Sequence, residues 1–228
     1  MNEGKGQRAE GKGKGRGIRE EGRRLYAVLD FDLTHSRNLD PAQLIDAWLN
    51  AGVRLIQLRA KTLPGGRMLE LATLLSERTA AAGATLIVND RVDIAQVAGA
   101  SGVHVGQEDL TPAEARRILG DAAIVGLSTH NEDQIRQGTT QPVDYVAIGP
   151  VFGTSTKERP DPVVGLDGVR KAVSIAETRG LPVIGIGGIT LERASSVIEA
   201  GAASVAVISD LLIGDIERRA REFLSALR

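Results

Sequence analysis

Short apolar runs recur along the chain, and each one ends on a polar or glycine-rich cluster. Residues 55–58 lead into Arg59 and Lys61, residues 86–88 into Asn89 and Asp90, and residues 146–148 into the stretch from Gly149 to Lys157. Residues 183–184 lead into a glycine cluster ending at Gly188, and residues 205–208 into Ser209 and Asp210. Richness in Val, Ile and Leu predicts strands near 25–30, 53–59, 84–88, 102–105, 123–127, 143–148, 182–186 and 203–208. Helical spacing of apolar residues predicts helices near 41–51, 66–82, 91–99, 112–119, 131–138, 166–179, 191–200 and 213–227. Asp40-Pro41 and Thr111-Pro112 each pair a capping side chain with a proline suited to the first helical position. Gly52, Gly83, Gly120, Gly180 and Gly201 mark helix ends.

Eight strand–helix repeats with right-handed crossovers predict a parallel sheet covered by helices. The number of units favours closure into a single-domain (β/α)8 TIM barrel, with an open doubly wound sheet as the alternative. Catalytic residues of such barrels come from the C-terminal ends of the strands. This chain keeps its polar clusters at just those positions.

Composition narrows the class. The 228 residues contain no cysteine, which excludes disulfides, thiolate catalysis and cysteine-bound zinc, and fits a cytoplasmic protein. No apolar stretch approaches the roughly 20 residues that span a bilayer, and the N-terminus lacks the apolar core of a signal peptide. Residues 1–24 carry eight basic and four acidic side chains, about +4, so the remainder carries about −5 of the overall −1. Residues 1–23 are expected to form a disordered tail, because they hold too little apolar surface to offset ordering entropy. The barrel is expected to span 24–228. The tail has no aromatic side chain to stack a base, which argues against nucleic-acid binding.

Gln57, Arg59 and Lys61 share one face of the second strand, while Leu58 and Ala60 share the other. Two cations projecting into a barrel mouth call for an anionic counterpart, such as a phosphate or diphosphate. The alternative is a structural network with Asp90 and Asp109. Those carboxylates follow neighbouring strands about 4.8 Å apart, close enough to share one hard cation, and Mg²⁺ favours one or two carboxylates plus phosphate oxygens. Read alone, Asn89-Asp90 resembles a helix N-cap and Asp109 a turn residue. His104 reads as a satisfied interior histidine.

Gly187 and Gly188 follow the seventh strand, where barrels often bind phosphate through bare backbone N–H groups. On this reading Gly188→Val weakens phosphate binding and leaves the fold intact. The loop after the sixth strand adds Thr154, Ser155, Thr156 and Lys157, suited to an oxyanion.

Together, Gln57-Leu58-Arg59-Ala60-Lys61, Asn89-Asp90-Arg91, the run from Gly102 to Asp109, Gly126-Leu127-Ser128-Thr129-His130, Gly149-Pro150-Val151-Phe152, Thr154-Ser155-Thr156-Lys157 and Gly187-Gly188-Ile189 resemble the thiamine phosphate synthase family. The resemblance runs along residues 25–210. It implies a (β/α)8 transferase joining hydroxymethylpyrimidine diphosphate to a phosphorylated hydroxyethylthiazole or its carboxylated precursor, with release of diphosphate. It further implies that Gln57, Arg59, Lys61 and Asn89 hold the pyrimidine diphosphate, and that Asp90 and Asp109 bind Mg²⁺. Ser128 and Lys157 would stabilise the departing diphosphate. Thr154, Ser155, Thr156, Gly188, Ile208 and Ser209 would line the thiazole phosphate site, with Gly187 beside them. The partners expected are these small molecules, with neither nucleic acid nor membrane, and the sequence leaves homo-oligomerisation open. Three features depart from the family pattern: no threonine precedes Asp30 in the first strand, residues 31–37 are atypical, and Ser155 stands where proline is frequent. A rival isomerase on a similar barrel would use His130 and need no diphosphate-bound metal, while a non-catalytic phosphate sensor would need no paired carboxylates.

Overall fold

Every strand pairs in parallel with the next in sequence, and β8 returns to β1, so the sheet closes into an eight-stranded barrel. The computed structural model describes residues 24–153 and 161–228. The expected tail and the residues Thr154, Ser155, Thr156 and Lys157 lie outside the described residues. From the N-terminal end the order is β1 (Leu25–Asp30), α1 (Phe31–Ser36), α2 (Pro41–Ala51), β2 (Leu55–Arg59), α3 (Gly65–Ala81), β3 (Thr85–Asn89), α4 (Val92–Val97) and β4 (Gly102–Val105). Then follow α5 (Pro112–Leu119), β5 (Ile124–Thr129), α6 (Glu132–Gly138), β6 (Tyr145–Ile148), α7 (Gly165–Glu177) and β7 (Val183–Ile186). The chain ends with α8 (Leu191–Glu199), β8 (Ser204–Val207), a short 3-10 helix (Ser209–Leu212) and α9 (Ile216–Ala226). Pairing of Leu25 with Val205 and Ala27 with Val207 rules out the open-sheet alternative.

The alternation of strand side chains divides the apolar residues into two cores. Leu25, Ala27, Leu29, Ile56, Leu58, Leu86, Val88, Val103 and Val105 face outward and pack beneath the helices, with Trp48 and Phe223. Tyr26, Val28, Leu55, Ile87, Tyr145, Ala147, Ile184 and Ala206 fill the barrel interior. Interior and exterior faces are both apolar, which is why the strands read as nearly continuous apolar runs.

The caps behave as their residue types dictate. Asp40 accepts from the backbone N–H groups of Ala42 and Gln43 at 2.8 and 2.9 Å, with Pro41 at the first helical position. Thr111 and Glu114 form a reciprocal capping box on α5. Asn89-Asp90 is not a cap: α4 begins at Val92, and no side chain caps its first turn.

Other boundaries shift for local reasons. Val53 is spent closing the turn after α2, its N–H donating to Trp48 O at 3.0 Å, so β2 starts at Leu55. Asp215 caps α9 by accepting from Arg218 N at 2.9 Å, so that helix starts three residues after the predicted 213. Helix α1 and the 3-10 helix were not predicted, and both sit at strand C-terminal ends, beside the site.

Candidate active site

The barrel mouth opens into two adjoining hollows that share Ile186, Gly187, Ala206 and Ile208. The axial one, about 120 Å³, is lined by Gln57, Arg59, Asn89, His104 and Ser128 with Tyr26 beneath. The strand ends therefore bring Gln57, Arg59, Asn89 and Ser128 of the predicted pyrimidine-side residues together, while Lys61 does not line this hollow and Lys157 lies outside the described residues. Gln57 donates from Nε2 to the Tyr26 hydroxyl at 2.9 Å. Tyr26 and Tyr145 hydroxyls lie 3.0 Å apart, and Tyr145 reaches His104 Nδ1 at 2.9 Å. His104 Nε2 lies 2.8 Å from Ser128 Oγ, so the reading of His104 as a satisfied interior histidine holds. Burial pushes both tyrosine hydroxyls well above their ordinary range, and both keep their protons.

Arg59 differs from the network alternative. Its guanidinium pairs with Asp30 at the end of β1, not with Asp90 or Asp109. Asp30 is 3% exposed and also caps α1, accepting from Leu33 N at 3.0 Å. A buried carboxylate with two jobs holds the arginine in one geometry. Lys61, just past the end of β2, does pair with Asp90, while its backbone N–H donates to Asp32 at 3.3 Å.

Asp90 and Asp109 do meet, their carboxyl groups within hydrogen-bonding reach of each other. Asp109 also accepts from Gly106 N at 2.7 Å. Burial pushes the Asp90 carboxyl above the usual carboxylate range; the Lys61 ammonium opposes that and the Asp109 carboxyl adds to it. Two adjacent carboxylates under one ammonium are a charge arrangement that a cation would complete. Among the described residues no cluster of three or more His, Cys, Asp or Glu could hold a metal. The pair nonetheless suits Mg²⁺, which takes one or two protein carboxylates and fills its remaining positions with water and phosphate oxygens.

The second hollow, about 300 Å³, collects Gly187, Gly188, Ile208 and Ser209 with Thr190. Gly187 and Gly188 have φ of 99° and 62°, in the left-handed region. A Cβ on Gly188 would stand 2.4 Å from the carbonyl oxygen of Gly153 and 2.9 Å from Phe152. The expectation that Gly188→Val would spare the fold therefore fails. That glycine is required by backbone packing between the loops after β6 and β7.

The sequence reading missed several lining residues. Arg37 donates to Leu212 O at 3.2 Å, and Arg193 donates to Gly188 O at 3.2 Å while resting 5.0 Å over the Phe152 ring. Both guanidinium groups border the second hollow. Tyr26 and Tyr145 were legible only in hindsight, as the chain's two tyrosines at inward strand positions. His130 also borders the axial hollow, its Nδ1 held 2.7 Å from Gly149 O.

The family model described as thiamine monophosphate synthase matches residues 25–211, the barrel through most of the 3-10 helix. The chain belongs to the thiamine monophosphate synthase family. It is 44% identical over 214 residues to a thiamine-phosphate synthase of Koribacter versatilis (strain Ellin345), covering 90% of this chain and 95% of that one. A thiamine-phosphate synthase of Haloarcula marismortui (strain ATCC 43049 / DSM 3752 / JCM 8966 / VKM B-1809) is 38% identical over 200 residues, covering 88% and 94%. The solved thiamine phosphate pyrophosphorylase of Pyrococcus furiosus superposes with a TM-score of 0.80 at 29% identity, covering 92% of this chain and 97% of that one. Thiamine monophosphate synthase relatives thus align with nearly the whole described barrel. Among the described residues, no helix is long and apolar enough to cross a membrane.

Proposed function

We propose that this member of the family is a thiamine phosphate synthase. It joins hydroxymethylpyrimidine diphosphate to a phosphorylated hydroxyethylthiazole and releases diphosphate. The observation that carries the reading is the match to thiamine-phosphate synthases over nearly their full length, one of them at 44% identity. The site agrees with it: a cationic and carboxylate rim stands over an axial hollow, beside a second hollow edged by glycines and guanidinium groups.

In this reaction the C–O bond between the pyrimidine methylene and the diphosphate breaks, and its electron pair leaves with the diphosphate. The thiazole nitrogen then gives its lone pair to the exposed methylene carbon. Breaking comes first, so negative charge on the leaving oxygen must be stabilised before the new bond forms. Arg59 is aimed by Asp30, and Lys61 stands over Asp90, so both cations are in place before substrate arrives. Asn89 and Gln57 offer amides to the pyrimidine, and Ser128 offers a hydroxyl near the departing diphosphate. Lys157, outside the described residues, takes the same role as Ser128. Asp90 and Asp109 would hold Mg²⁺, which when bound neutralises diphosphate charge as a Lewis acid. The apolar interior beneath the site, from Val28 to Ala147 and Ile184, limits water's access to the electron-poor carbon. The thiazole phosphate is assigned to Gly188, Ile208 and Ser209, and Thr154, Ser155 and Thr156, outside the described residues, are assigned to the same phosphate by the family resemblance.

Mixing both substrates with Mg²⁺ should release one diphosphate per thiamine phosphate formed, and neither substrate alone should do so. Absence of diphosphate with both present would overturn the reading and favour the isomerase or sensor alternatives, which need no such release.

A further inference from the structure

Five polar side chains cross the barrel interior in one unbroken hydrogen-bonded line. It runs from Gln57 through Tyr26, Tyr145 and His104 to Ser128, with every link between 2.8 and 3.0 Å. The first four residues are at most 6% exposed. Such a line is more than packing, because each hydroxyl carries one proton and a singly protonated imidazole carries one. Fixing the direction of any link fixes the direction of all the others.

Only two directions exist for that singly protonated line. In the outward one, Gln57 Nε2 donates to Tyr26, Tyr26 to Tyr145, and Tyr145 to His104 Nδ1. The ring proton then sits on Nε2 and donates to Ser128 Oγ, so the Ser128 hydroxyl proton is turned to the hollow. In the inward one, every bond is reversed: Ser128 donates to the ring, the ring proton sits on Nδ1, and Gln57 must turn its carbonyl oxygen to Tyr26. The Gln57 amide is oriented with its nitrogen toward Tyr26, and the Tyr26 hydroxyl has two partners among the described residues, Gln57 and Tyr145. Tyr26 therefore gives its own proton to Tyr145, since an amide nitrogen cannot accept it. The phenols can act as donors because burial keeps them protonated.

The geometry points to Tyr145 and His104 as positioning residues that hold Ser128 as a hydrogen-bond donor to the departing diphosphate, while leaving the Gln57 carbonyl oxygen turned to the hollow to accept from a donor on the pyrimidine. This rests on the proposed reaction for its substrate, but the direction of the line is a property of the chain alone. The two ends are linked. A ligand that demands a donor at Ser128 favours the same direction that offers an acceptor at Gln57, so recognition of the ring and of its diphosphate reinforce one another.

The tautomer of a histidine follows from its partners and is visible in the ¹⁵N shifts of its ring. In the full chain, His104 should carry its proton on Nε2, both alone and with inorganic diphosphate and Mg²⁺. Tyr145→Phe removes the donor to Nδ1 while filling the same space, and should shift the ring toward the other tautomer. The same change should lower kcat about tenfold to a hundredfold, the worth of one hydrogen bond to a charged group, with KM little altered. Made in a Ser128→Ala background, it should cost almost nothing further, because Ser128 is what it acts through. A proton on Nδ1 in the unaltered chain would overturn the inference, as would equal losses from Tyr145→Phe with and without Ser128. The ring measurement on the unaltered chain needs neither a folded variant nor turnover. It therefore decides the direction even if the proposed reaction fails, and a failed direction with normal turnover leaves that reaction standing.

Discussion

At the scale of single residues, Asp90 is the most informative. It holds φ of 62°, one of two non-glycine residues in the left-handed region among those described, the other being Asn38. Asp and Asn tolerate that backbone better than other L-residues, whereas alanine there costs on the order of 1–2 kcal/mol. Asp90→Asn is therefore the clean way to remove the charge without straining the chain. Because burial already disfavours the ionised carboxyl, and Lys61 is 51% exposed and can be solvated, melting should stay near that of the parent protein. Turnover should fall by about a hundredfold, the several kcal/mol expected of lost metal-assisted charge stabilisation, and saturation by Mg²⁺ should weaken. A lowered melting temperature with an unchanged Mg²⁺ titration would instead mark the carboxylate as a salt-bridge partner of Lys61 and nothing more. Asp90 and Asp109 could be picked out in the sequence because each follows a strand. Their contact could not, since it depends on how the loop from Gly106 folds back on Asp109.

At the scale of elements, β5 and β6 show how a glycine can serve a side chain on the next strand. A Cβ on Gly126 would stand 2.0 Å from Tyr145 Cζ, so the bare residue is the space in which that ring lies. Strands paired on both sides cannot move apart to make room. Gly126→Ala should destabilise by about 1–3 kcal/mol through overpacking, and should also lower turnover by displacing the Tyr145 hydroxyl from His104. Gly66→Ala in α3 is the natural control, because nothing stands within 4 Å of its added methyl. Chemical denaturation of both variants checks the contrast, and equal stability would show that Tyr145 has room to shift. Helices with two or more turns and ordinary caps were readable from spacing alone. Helix α1 was not, because its six residues form no apolar stripe. It exists because Asp30 caps its start and Thr34 bonds Asp30 O at 2.7 Å. The 3-10 helix is likewise held from outside: Arg219 pairs at 2.6 Å with Asp210, and Asp210 accepts from Leu191 N at 3.0 Å.

At the scale of the whole molecule, the barrel closes through the pairing of β1 with β8. Arg24 supplies the outermost bonds, its carbonyl accepting from Val205 N at 2.8 Å and Ser204 Oγ at 3.0 Å. Residues 1–23 contribute only Met1, Ala9 and Ile18 as apolar side chains. A chain beginning at Arg24 should thus keep its Tm and its rate of diphosphate release, and a large loss of either would show that the segment docks on the barrel. The sequence by itself determined the repeat of strand and helix, the closed parallel barrel and the end of it where the candidate site lies. All of these follow from local periodicity and from the rule that polar clusters succeed strands. It also singled out Gln57, Arg59, Lys61, Asp90 and Asp109 as candidates from their places at or beyond strand ends, and Asn89 and Ser128 through the family resemblance. What only the tertiary structure decided was partnership. Asp30 rather than Asp90 holds Arg59, Arg37 reaches the second hollow from the end of α1 and meets Arg193 of α8 there, and Tyr26 and Tyr145 meet across the barrel, 119 positions apart. Parity along a strand says which way a side chain faces. Which side chain it meets there depends on the register and shear of the closed sheet, and no single strand encodes those.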